Sequence, residues 1–491
     1  MTDTPLASRT IDHIRRVRTS FRLLCGTLFV VALTSGCGGD DSTGPATPGL
    51  HVVSGADQAD TVLTKLAAPL VIEIRDSTGR SASGVTVRFQ GVGGNLAMTP
   101  DQKQYDSFVS AIADARGHAS VFVRLGPRAG TARLAITVPE LGAYDTVSFT
   151  IKHGSPIGLA ISPRDTSLLP GQSFTLAAVV ADMFGNTVPE AVPTFSSTTG
   201  IAVTPTGKVT ASSTLALNTI TATYQKLTDS AHVSIIPLFP MVVNKGGAAM
   251  LVNTDGTGRI ALIGPADISI APSSVPATPS VVYYQGDPAV NSKVMVVQPN
   301  QAPRPLLSVS TSADAWPRLS PDGVWVYFVR DLNTLWRARL DGTGLEQLGT
   351  FSPPRVYRWP TVSPDGKSVA VEDGTGLRIF DVTTKGSSTV PGPCGYPAYS
   401  PDGAFFACGS ATDLSVMRTD GTGRRVAHQF DLNAYPSVNG PVDLSGIDWS
   451  PDGKWLLAIA GRYANLYDVA KDAVLPLSGM GIDFSQASFV R

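Results

Sequence analysis

The sequence predicts an all-β protein in which two β-sandwiches in tandem precede a β-propeller with six blades. Valine and threonine recur in short alternating runs, and beyond the N-terminus no long stretch has the apolar spacing of a helix. The tetrapeptide Ser-Pro-Asp-Gly appears at 320–323, 363–366, 400–403 and 450–453. A period of about 40 residues indicates stacked structural units. The chain of 491 residues has room for about three domains.

Residues 1–36 have the pattern of an export signal. Arginines precede the apolar run Leu23–Leu33, which is too short to span a bilayer but suits a signal peptide. The following Leu-Thr-Ser-Gly-Cys resembles the lipobox of bacterial lipoproteins, although Thr34 stands where that family prefers leucine. The resemblance implies that Cys37 is lipidated, and an ordinary cleaved signal with an incidental cysteine is the alternative. Residues 37–49 predict a flexible tether.

Residues 50–153 predict the first sandwich. Apolar and polar residues alternate in Leu66–Ile74 and in Gly84–Phe89, with the turn residues Arg75–Gly79 between them. Together with Asp114–Val121, these runs make the segment similar to a group 1 bacterial Ig-like domain of the invasin and intimin type. The resemblance implies a spacer or adhesive module and no particular chemistry.

Residues 154–238 predict the second sandwich. The run Phe174–Val180 leads into the turn Asp182–Asn186, and Ile220–Thr223 is a later strand. The segment resembles a group 2 bacterial Ig-like domain, with Phe195 where that family usually has tryptophan. Neither segment contains cysteine, so we expect each to rest on its inter-sheet core.

Residues 239–491 contain the Ser-Pro-Asp-Gly repeats. Each tetrapeptide follows a short run such as Trp316–Leu319 and precedes an apolar run such as Val324–Val329, with two further runs behind it. Four strands per repeat are those of a propeller blade. The repeats resemble those of TolB-type β-propellers, and two degenerate repeats before Trp316 bring the count to six. The first lacks an inner strand, so we expect Gln486–Arg491 to supply it and close the ring.

Cys394 and Cys408 flank the third tetrapeptide. If its hairpin turns between Pro401 and Asp402, the two cysteines lie within one residue of facing each other. An exported protein is in a compartment that permits disulfides. A disulfide and two buried free thiols are both open readings at this point.

Few residues of the propeller segment suit catalysis. Its one histidine is His428, and no Gly-x-Ser-x-Gly motif accompanies it. We predict no metal site and no cofactor, because the remaining histidines are scattered. The net charge of −1, without a basic block, argues against nucleic-acid binding. Carboxylates could converge in the propeller channel, so a hydrolase or lyase stays open as the alternative to a non-enzyme.

Strand order predicts which face of the propeller binds. The uniform Ser-Pro-Asp-Gly and Asp-Gly-Thr-Gly turns emerge on one face, here called the turn face. The long, individual loops and the connections between blades emerge on the opposite, connector face. Because functional loops vary while scaffold turns are uniform, we expect binding at the connector face. Its candidate anchors are Arg355, Tyr357, Arg358 and Tyr435.

The expected protein is therefore a monomer, exported to the bacterial cell envelope and anchored in the membrane through its N-terminal lipid. We expect an outer-membrane lipoprotein that faces the periplasm or the surface. Its predicted role is to bind an envelope protein or glycan. A purely structural envelope component is the second alternative.

Overall fold

The computed structural model describes residues 47–245, 248–263, 273–275, 278–287, 289–351, 359–374, 376–410, 412–431, 444–460, 463–477 and 484–490. Over these residues the chain is built of β-strands, with one 3-10 helix at Pro139–Leu141. No helix in these ranges has the length and apolar character that crossing a membrane would need. The predicted signal and Cys37 lie outside the described residues.

The first sandwich consists of a four-stranded and a five-stranded sheet. Its strands β1 to β9 lie at Gly49–Ser54, Ala59–Thr61, Leu70–Arg75, Thr86–Val92, Leu96–Thr99, Phe108–Ile112, His118–Leu125, Gly130–Val138 and Ala143–Lys152. The sheet orders are β1-β3-β7-β5 and β2-β9-β8-β4-β6. Alternation along the strands puts one face of each sheet into a shared core, in which Ile72, Phe89 and Ile136 are fully buried.

The second sandwich has smaller sheets around its own core. Its strands β10 to β18 lie at Gly158–Ser162, Asp165–Leu168, Ser173–Thr175, Ala177–Ala181, Thr194–Ser197, Ile201–Val203, Lys208–Ala211, Ala216–Tyr224 and Leu227–Ile235. They form the sheets β10-β13, β11-β18-β17-β14 and β12-β16-β15. Val209, Ile220 and Val233 are fully buried between the sheets.

Hydrogen bonds of one asparagine tie the two sandwiches together. The amide nitrogen of Asn186 donates to the Pro127 carbonyl, and its oxygen accepts from the Ala129 amide, both at 2.8 Å. Asp182 accepts from the Gly154 amide at 2.8 Å. Burial raises the pKa of Asp182, but hydrogen bonds from Asn186 and from backbone amides outweigh it and lower the pKa to about 2. The junction is therefore held by specific polar contacts.

His153 forms a second contact at the same junction. Its Nδ1 lies 2.8 Å from the Gly154 carbonyl, and its Nε2 lies 2.7 Å from the Glu190 carboxylate. The hydrogen bond with Gly154 and the charge of Glu190 raise the pKa of His153. This contact gains strength when the imidazole is protonated.

The rest of the chain forms six four-stranded antiparallel sheets in the described residues. Strands β19 to β30 lie at Pro240–Lys245, Ala248–Asn253, Ile260–Ile263, Ser273–Val275, Thr278–Gln285, Lys293–Val297, Arg304–Pro305, Asp314–Leu319, Trp325–Arg330, Thr334–Arg339, Glu346–Thr350 and Thr361–Val362. Strands β31 to β42 lie at Ser368–Glu372, Gly376–Asp381, Ser387–Pro391, Gly395–Tyr399, Phe405–Ser410, Asp413–Arg418, Arg425–Gln429, Leu444–Trp449, Trp455–Ala460, Tyr463–Asp468, Ala473–Pro476 and Phe484–Phe489.

The sheets are numbered here in chain order. Sheet 1 has the order β21-β20-β19-β42, and sheets 2 to 6 are β22–β25, β26–β29, β30–β33, β34–β37 and β38–β41. Every neighbouring pair of sheets shares a buried apolar cluster, and sheet 6 shares one with sheet 1. A closed ring of four-stranded sheets is a β-propeller.

The C-terminal strand closes the ring, which confirms the prediction. Strand β42 pairs with β19 as the innermost strand of sheet 1, with Met241 opposite Phe489 and Val243 opposite Ala487. Phe489 is buried, and its ring packs edge-on against Phe239 at a centroid distance of 5.3 Å. The closing strand therefore removes an open sheet edge and fills a core at once.

Each Ser-Pro-Asp-Gly turn is held by its own serine and aspartate. Ser320 Oγ donates to Asp322 Oδ1 at 2.5 Å and accepts from the Trp325 amide at 2.9 Å. Asp322 also accepts from the Val324 amide at 3.1 Å. The same bonds recur in the turns that begin at Ser363, Ser400 and Ser450. These polar groups serve the turn between the first and second strands.

Candidate functional site

The inner strands of the propeller carry a bulge beside the central channel. In sheets 3, 5 and 6 the register shifts two to three residues before the end of the inner strand. Trp316, Tyr396 and Gly446 occupy equivalent positions there, with φ of 50°, 49° and 57°. A non-glycine residue with positive φ is strained, and such residues cluster at functional sites. At Gly446 a Cβ atom would lie 3.0 Å from the Ala487 amide of the closing strand, which explains the glycine.

Aromatic side chains form an arc along the connector side of these strands. Tyr284 packs edge-on against Trp316, Trp316 packs edge-on against Trp359, and Trp359 stacks on Tyr396. The three centroid distances are 6.0, 6.5 and 5.8 Å. Each inner strand runs from the connector face to the turn face, so residues in its first half lie nearer the connector face. Trp359 and Tyr396 are only half-buried, whereas Trp316 is fully buried.

Two indole groups of this aromatic arc lack an acceptor. The Nε1 atoms of Trp316 and Trp359 are buried and have no hydrogen-bond partner among the described residues. A buried donor without a partner costs about 1–3 kcal/mol, and native proteins contain few of them. Two adjacent unpaired donors therefore mark the arc as a place where an oxygen atom from outside the described residues would be stabilised.

An ion pair joins two inner strands across the central channel. Arg318 of sheet 3 lies 3.1 Å from Asp448 of sheet 6, which stands opposite in the ring. Asp448 is fully buried and also accepts from Ser488 Oγ at 2.8 Å and from the Phe489 amide at 3.0 Å. One carboxylate thus joins two opposed sheets and the closing strand.

Other buried carboxylates among the described residues of the ring are also paired with cations, including Asp468, which lies 3.4 Å from Lys471. Asp314 lies 2.6 Å from Arg330, and Asp373 lies 3.2 Å from Arg378. A glycosidase-type pair would instead need two carboxylates facing one substrate bond. These ion pairs serve as structural ties.

The remaining polar chemistry is sparse in the part of the chain that the structure describes. No group of three or more His, Cys, Asp or Glu side chains there is placed to hold a metal ion. His428 lies against the rings of Phe430 and Tyr467, and burial lowers its pKa. Its surroundings are those of a packed side chain.

The predicted site residues divide into two groups. Arg355, Tyr357, Arg358 and Tyr435 lie outside the described residues, as does Cys37. Cys394 and Cys408 are buried between sheets 4 and 5 and form a disulfide in the structure, with Cα atoms 4.7 Å apart.

Sequence reasoning missed the aromatic arc and the ion pair across the channel. Aligned repeats show an aromatic residue followed by proline at Trp316, Trp359 and Tyr396, four residues before the serine of three of the four tetrapeptides. That recurrence was a usable signal for the arc. No such recurrence predicts the ion pair of Arg318 and Asp448, because the aligned position holds a different residue type in each repeat.

Comparison with known proteins gives matches to solved structures alone. No family model matches the sequence, and the search of curated proteins found no match. TolB from Acinetobacter baumannii aligns at 13% identity and a TM-score of 0.41, over 60% of this chain and 82% of that one. A putative TolB from Agrobacterium tumefaciens aligns at 13% identity and a TM-score of 0.38, over 52% of this chain and 100% of that one.

An oligogalacturonate lyase in complex with manganese is a third similar structure. It aligns at 15% identity and a TM-score of 0.32, over 49% of this chain and 72% of that one. At these levels of similarity none of the three structures defines a function for this chain.

Proposed function

We propose that this protein is an exported, lipid-anchored component of the bacterial cell envelope that binds a protein or glycan. Two Ig-like spacers present a six-bladed, TolB-type propeller, and the propeller carries the binding site. The observation that carries the proposal is the aromatic arc, with a half-buried Trp359–Tyr396 stack beside two indole donors that have no partner among the described residues. The inferred role is binding without catalysis.

The junctions between the domains support a presenting role for the sandwiches. Asn186 and Asp182 link the two sandwiches through hydrogen bonds of 2.8 Å. Ser167 of the second sandwich donates to the Pro476 carbonyl of sheet 6 at 3.0 Å, and Leu169 and Leu215 pack against the ring. Spacers joined in this way hold a terminal domain at a defined distance from its anchor.

The chemistry of the aromatic arc suits both ligand classes. Tryptophan and tyrosine side chains dominate the energetics of protein interfaces, because they bury a large area at a low cost in rotamer entropy. Their faces also offer flat apolar surfaces to sugar rings, while the indole N–H groups donate to hydroxyl or carbonyl oxygens. The arc lies on the connector side, where varied loops predict a partner.

Affinity capture tests the proposal. The full-length lipoprotein is used as bait in detergent-solubilised envelope, and the wild type is compared with Trp359→Leu/Tyr396→Leu. We expect the double variant to lose the partners that the wild type retains. Trp359→Phe keeps a ring but removes one donor, so it separates stacking from hydrogen bonding.

Thr343→Ala and Thr422→Ala on the turn face are the matched controls, since each threonine only caps an Asp-Gly-Thr-Gly turn. Melting temperatures are measured for all variants, because only a loss of capture without a loss of folding bears on binding. Capture that survives the arc variants and disappears with the turn-face controls would reverse the assignment.

Metabolic labelling tests the anchor. A fatty-acid analogue should label the wild type and leave Cys37→Ala unlabelled. Equal labelling of the two proteins would remove lipid anchoring from the proposal and leave the binding role to be judged by capture alone.

A further inference from the structure

A groove opens on the turn face between sheets 5 and 6. It encloses about 610 Å³, which lies within the range of about 300–1,000 Å³ typical of small-ligand sites. Apolar side chains line its interior and charged ones its rim: Phe405, Val416, Trp449 and Val469 inside, Asp402, Arg425 and Asp452 outside. Phe405 is 37% exposed there, although most aromatic rings of the propeller are buried.

The corresponding place between sheets 3 and 4 is filled by the chain itself. In the register of sheet 3, Tyr327 lies opposite Arg337, and Arg337 lies opposite Glu346. The Arg337 guanidinium sits 4.2 Å from the centre of the Trp325 ring and donates to Glu346 at 2.8 Å. Lys385 of sheet 4 reaches the same carboxylate at 2.7 Å. These hydrogen bonds from Lys385 and Arg337 lower the pKa of Glu346.

Sheet 5 has smaller and differently charged residues at the equivalent positions. Ala407 lies opposite Val416, and Val416 lies opposite Arg425. Sheet 5 therefore has alanine, valine and arginine in the register positions where sheet 3 has tyrosine, arginine and glutamate. The two side chains that fill the space in sheet 3, Tyr327 and Arg337, are replaced in sheet 5 by the smaller Ala407 and Val416. Where sheet 3 has the carboxylate of Glu346, sheet 5 has the cation of Arg425. Phe405, the fifth residue after its turn serine, is left uncovered, as Trp325 would be without Arg337.

Arg425 supplies a positive charge at the rim of the groove. The ion pairs of 4 Å or less among the described propeller residues do not include Arg425. It lies near the Tyr467 hydroxyl, which also donates to Asp472 at 3.1 Å. Burial and the hydrogen bond with Asp472 raise the pKa of that hydroxyl, and the hydrogen bond with Arg425 lowers it. Asp402 and Asp452 stand exposed at the same rim. Their charges disfavour a polyanion, so an anion that fits this rim beside Arg425 carries a single negative charge.

We infer that this groove binds a small aromatic carboxylate. The flat apolar body lies against Phe405 above Val416 and Trp449, and the carboxylate pairs with Arg425. The ligand thereby supplies the carboxylate and the bulk that sheet 3 supplies from Glu346, Arg337 and Tyr327. The site lies on the face opposite the aromatic arc and is independent of the proposed envelope partner.

A matched pair of probes tests the inference on the full-length protein. The anion 1-naphthylacetate and its neutral isostere 1-naphthylacetamide are titrated and followed by ligand-observed NMR. We expect the anion to bind saturably and about fivefold more tightly than the amide, as for an exposed ion pair. Arg425→Gln should bring the anion to the affinity of the amide and leave the amide unchanged. Phe405→Ala should weaken both probes.

A second variant rebuilds the cover that sheet 3 possesses. Val416→Arg/Arg425→Glu places an arginine and a glutamate in the same register as Arg337 and Glu346. We expect it to keep the melting temperature of the wild type and to lose both probes. Arg339→Gln, an exposed arginine on the turn face of sheet 3, is the control and should bind as the wild type does.

The inference is overturned if neither probe binds the wild type saturably. It is also overturned if the filled variant is folded and binds as well as the wild type. If Val416→Arg/Arg425→Glu fails to fold, the variants Arg425→Gln and Phe405→Ala decide the question. If both bind the anion as tightly as the wild type does, the anion binds at another place and the inference is overturned.

Discussion

The ion pair across the channel makes a quantitative prediction about stability. Arg318→Met removes the cation that the described residues supply to the buried Asp448. Three donors among the described residues stay in place, the amides of Trp449 and Phe489 and the Ser488 hydroxyl. Breaking a buried ion pair from one side costs about 3–5 kcal/mol, and the retained donors place this variant near the lower end. Asp448→Asn loses the charge and replaces one acceptor oxygen with a donor, so its cost is similar. The double variant removes both charges and should cost clearly less than the sum.

Tryptophan fluorescence in urea provides the assay. All six tryptophans of the chain lie from Trp316 to Trp455. Their fluorescence therefore reports the unfolding of the propeller and does not report that of the sandwiches. The free energy of unfolding is compared for the wild type, both single variants and the double variant. We expect a coupling energy of about 2 kcal/mol between the two positions. Arg259→Met, at an exposed arginine of sheet 1, is the control and should change little.

Additivity of the two costs to within about 0.5 kcal/mol would refute the reasoning, because independent sites add to that precision. In that case the two charges would be separately solvated in the channel, and the sheets would not be joined through them. A change of the urea dependence in one single variant would point to a loosened closing strand, since Asp448 also holds Ser488 and Phe489.

Three further predictions concern the closing strand, the disulfide and the sandwich junction. Deleting 484–491 should lower the propeller melting temperature or cause aggregation, since it exposes a sheet edge; an unchanged melting temperature would contradict ring closure. A non-reduced digest should contain linked peptides of Cys394 and Cys408, and reduction should cost the propeller at most about 3 kcal/mol; free thiols would disprove the bridge. Because the folded pKa of His153 is raised, its contact with Glu190 stabilises the junction below about pH 6.5. That contribution is lost as the pH rises through the folded pKa of His153. An NMR titration of the His153 ring should show the raised pKa, and the melting temperature of the sandwiches should lose this pH dependence in His153→Gln.

Most of the fold could be predicted because its rules are local. A Ser-Pro-Asp-Gly turn needs only the six residues from Ser320 to Trp325, and the same side chains satisfy it in each repeat. Counting strands then showed that one blade lacked its inner strand, and the C-terminal run was the unassigned strand that remained. Both inferences used information that lies within one repeat or in the number of repeats.

The site could be predicted only in part, because its contacts join different repeats. Arg318 and Asp448 are separated by 130 positions, and the equivalent residues of sheets 4 and 5 are Thr361 and Ala398. Sequence shows that this position varies, but only the ring geometry shows that two of its occupants meet. The anchors predicted on the connector face lie outside the described residues and stay predictions.

The groove escaped sequence reasoning for a different reason. Each of its residues is ordinary by itself, and the groove results from missing volume at Ala407 and Val416. Comparing the repeats by strand register, instead of by their turns, would have placed these residues against Tyr327 and Arg337. That comparison requires the pairing of the third and fourth strands, which the turn motif alone does not supply.

The position of strand β42 has a consequence for how this chain matures. During synthesis the sandwiches emerge first and can form their cores at once, since every strand they need lies before residue 236. Strand β19 then waits for a partner that is synthesised about one whole propeller later. Until residues 484–490 have been synthesised, sheet 1 lacks its innermost strand and β19 is an unpaired edge, which is a target for proteases and chaperones. The propeller is thus completed in a single late step, and synthesis stalled shortly before it would yield folded sandwiches on an unfinished ring.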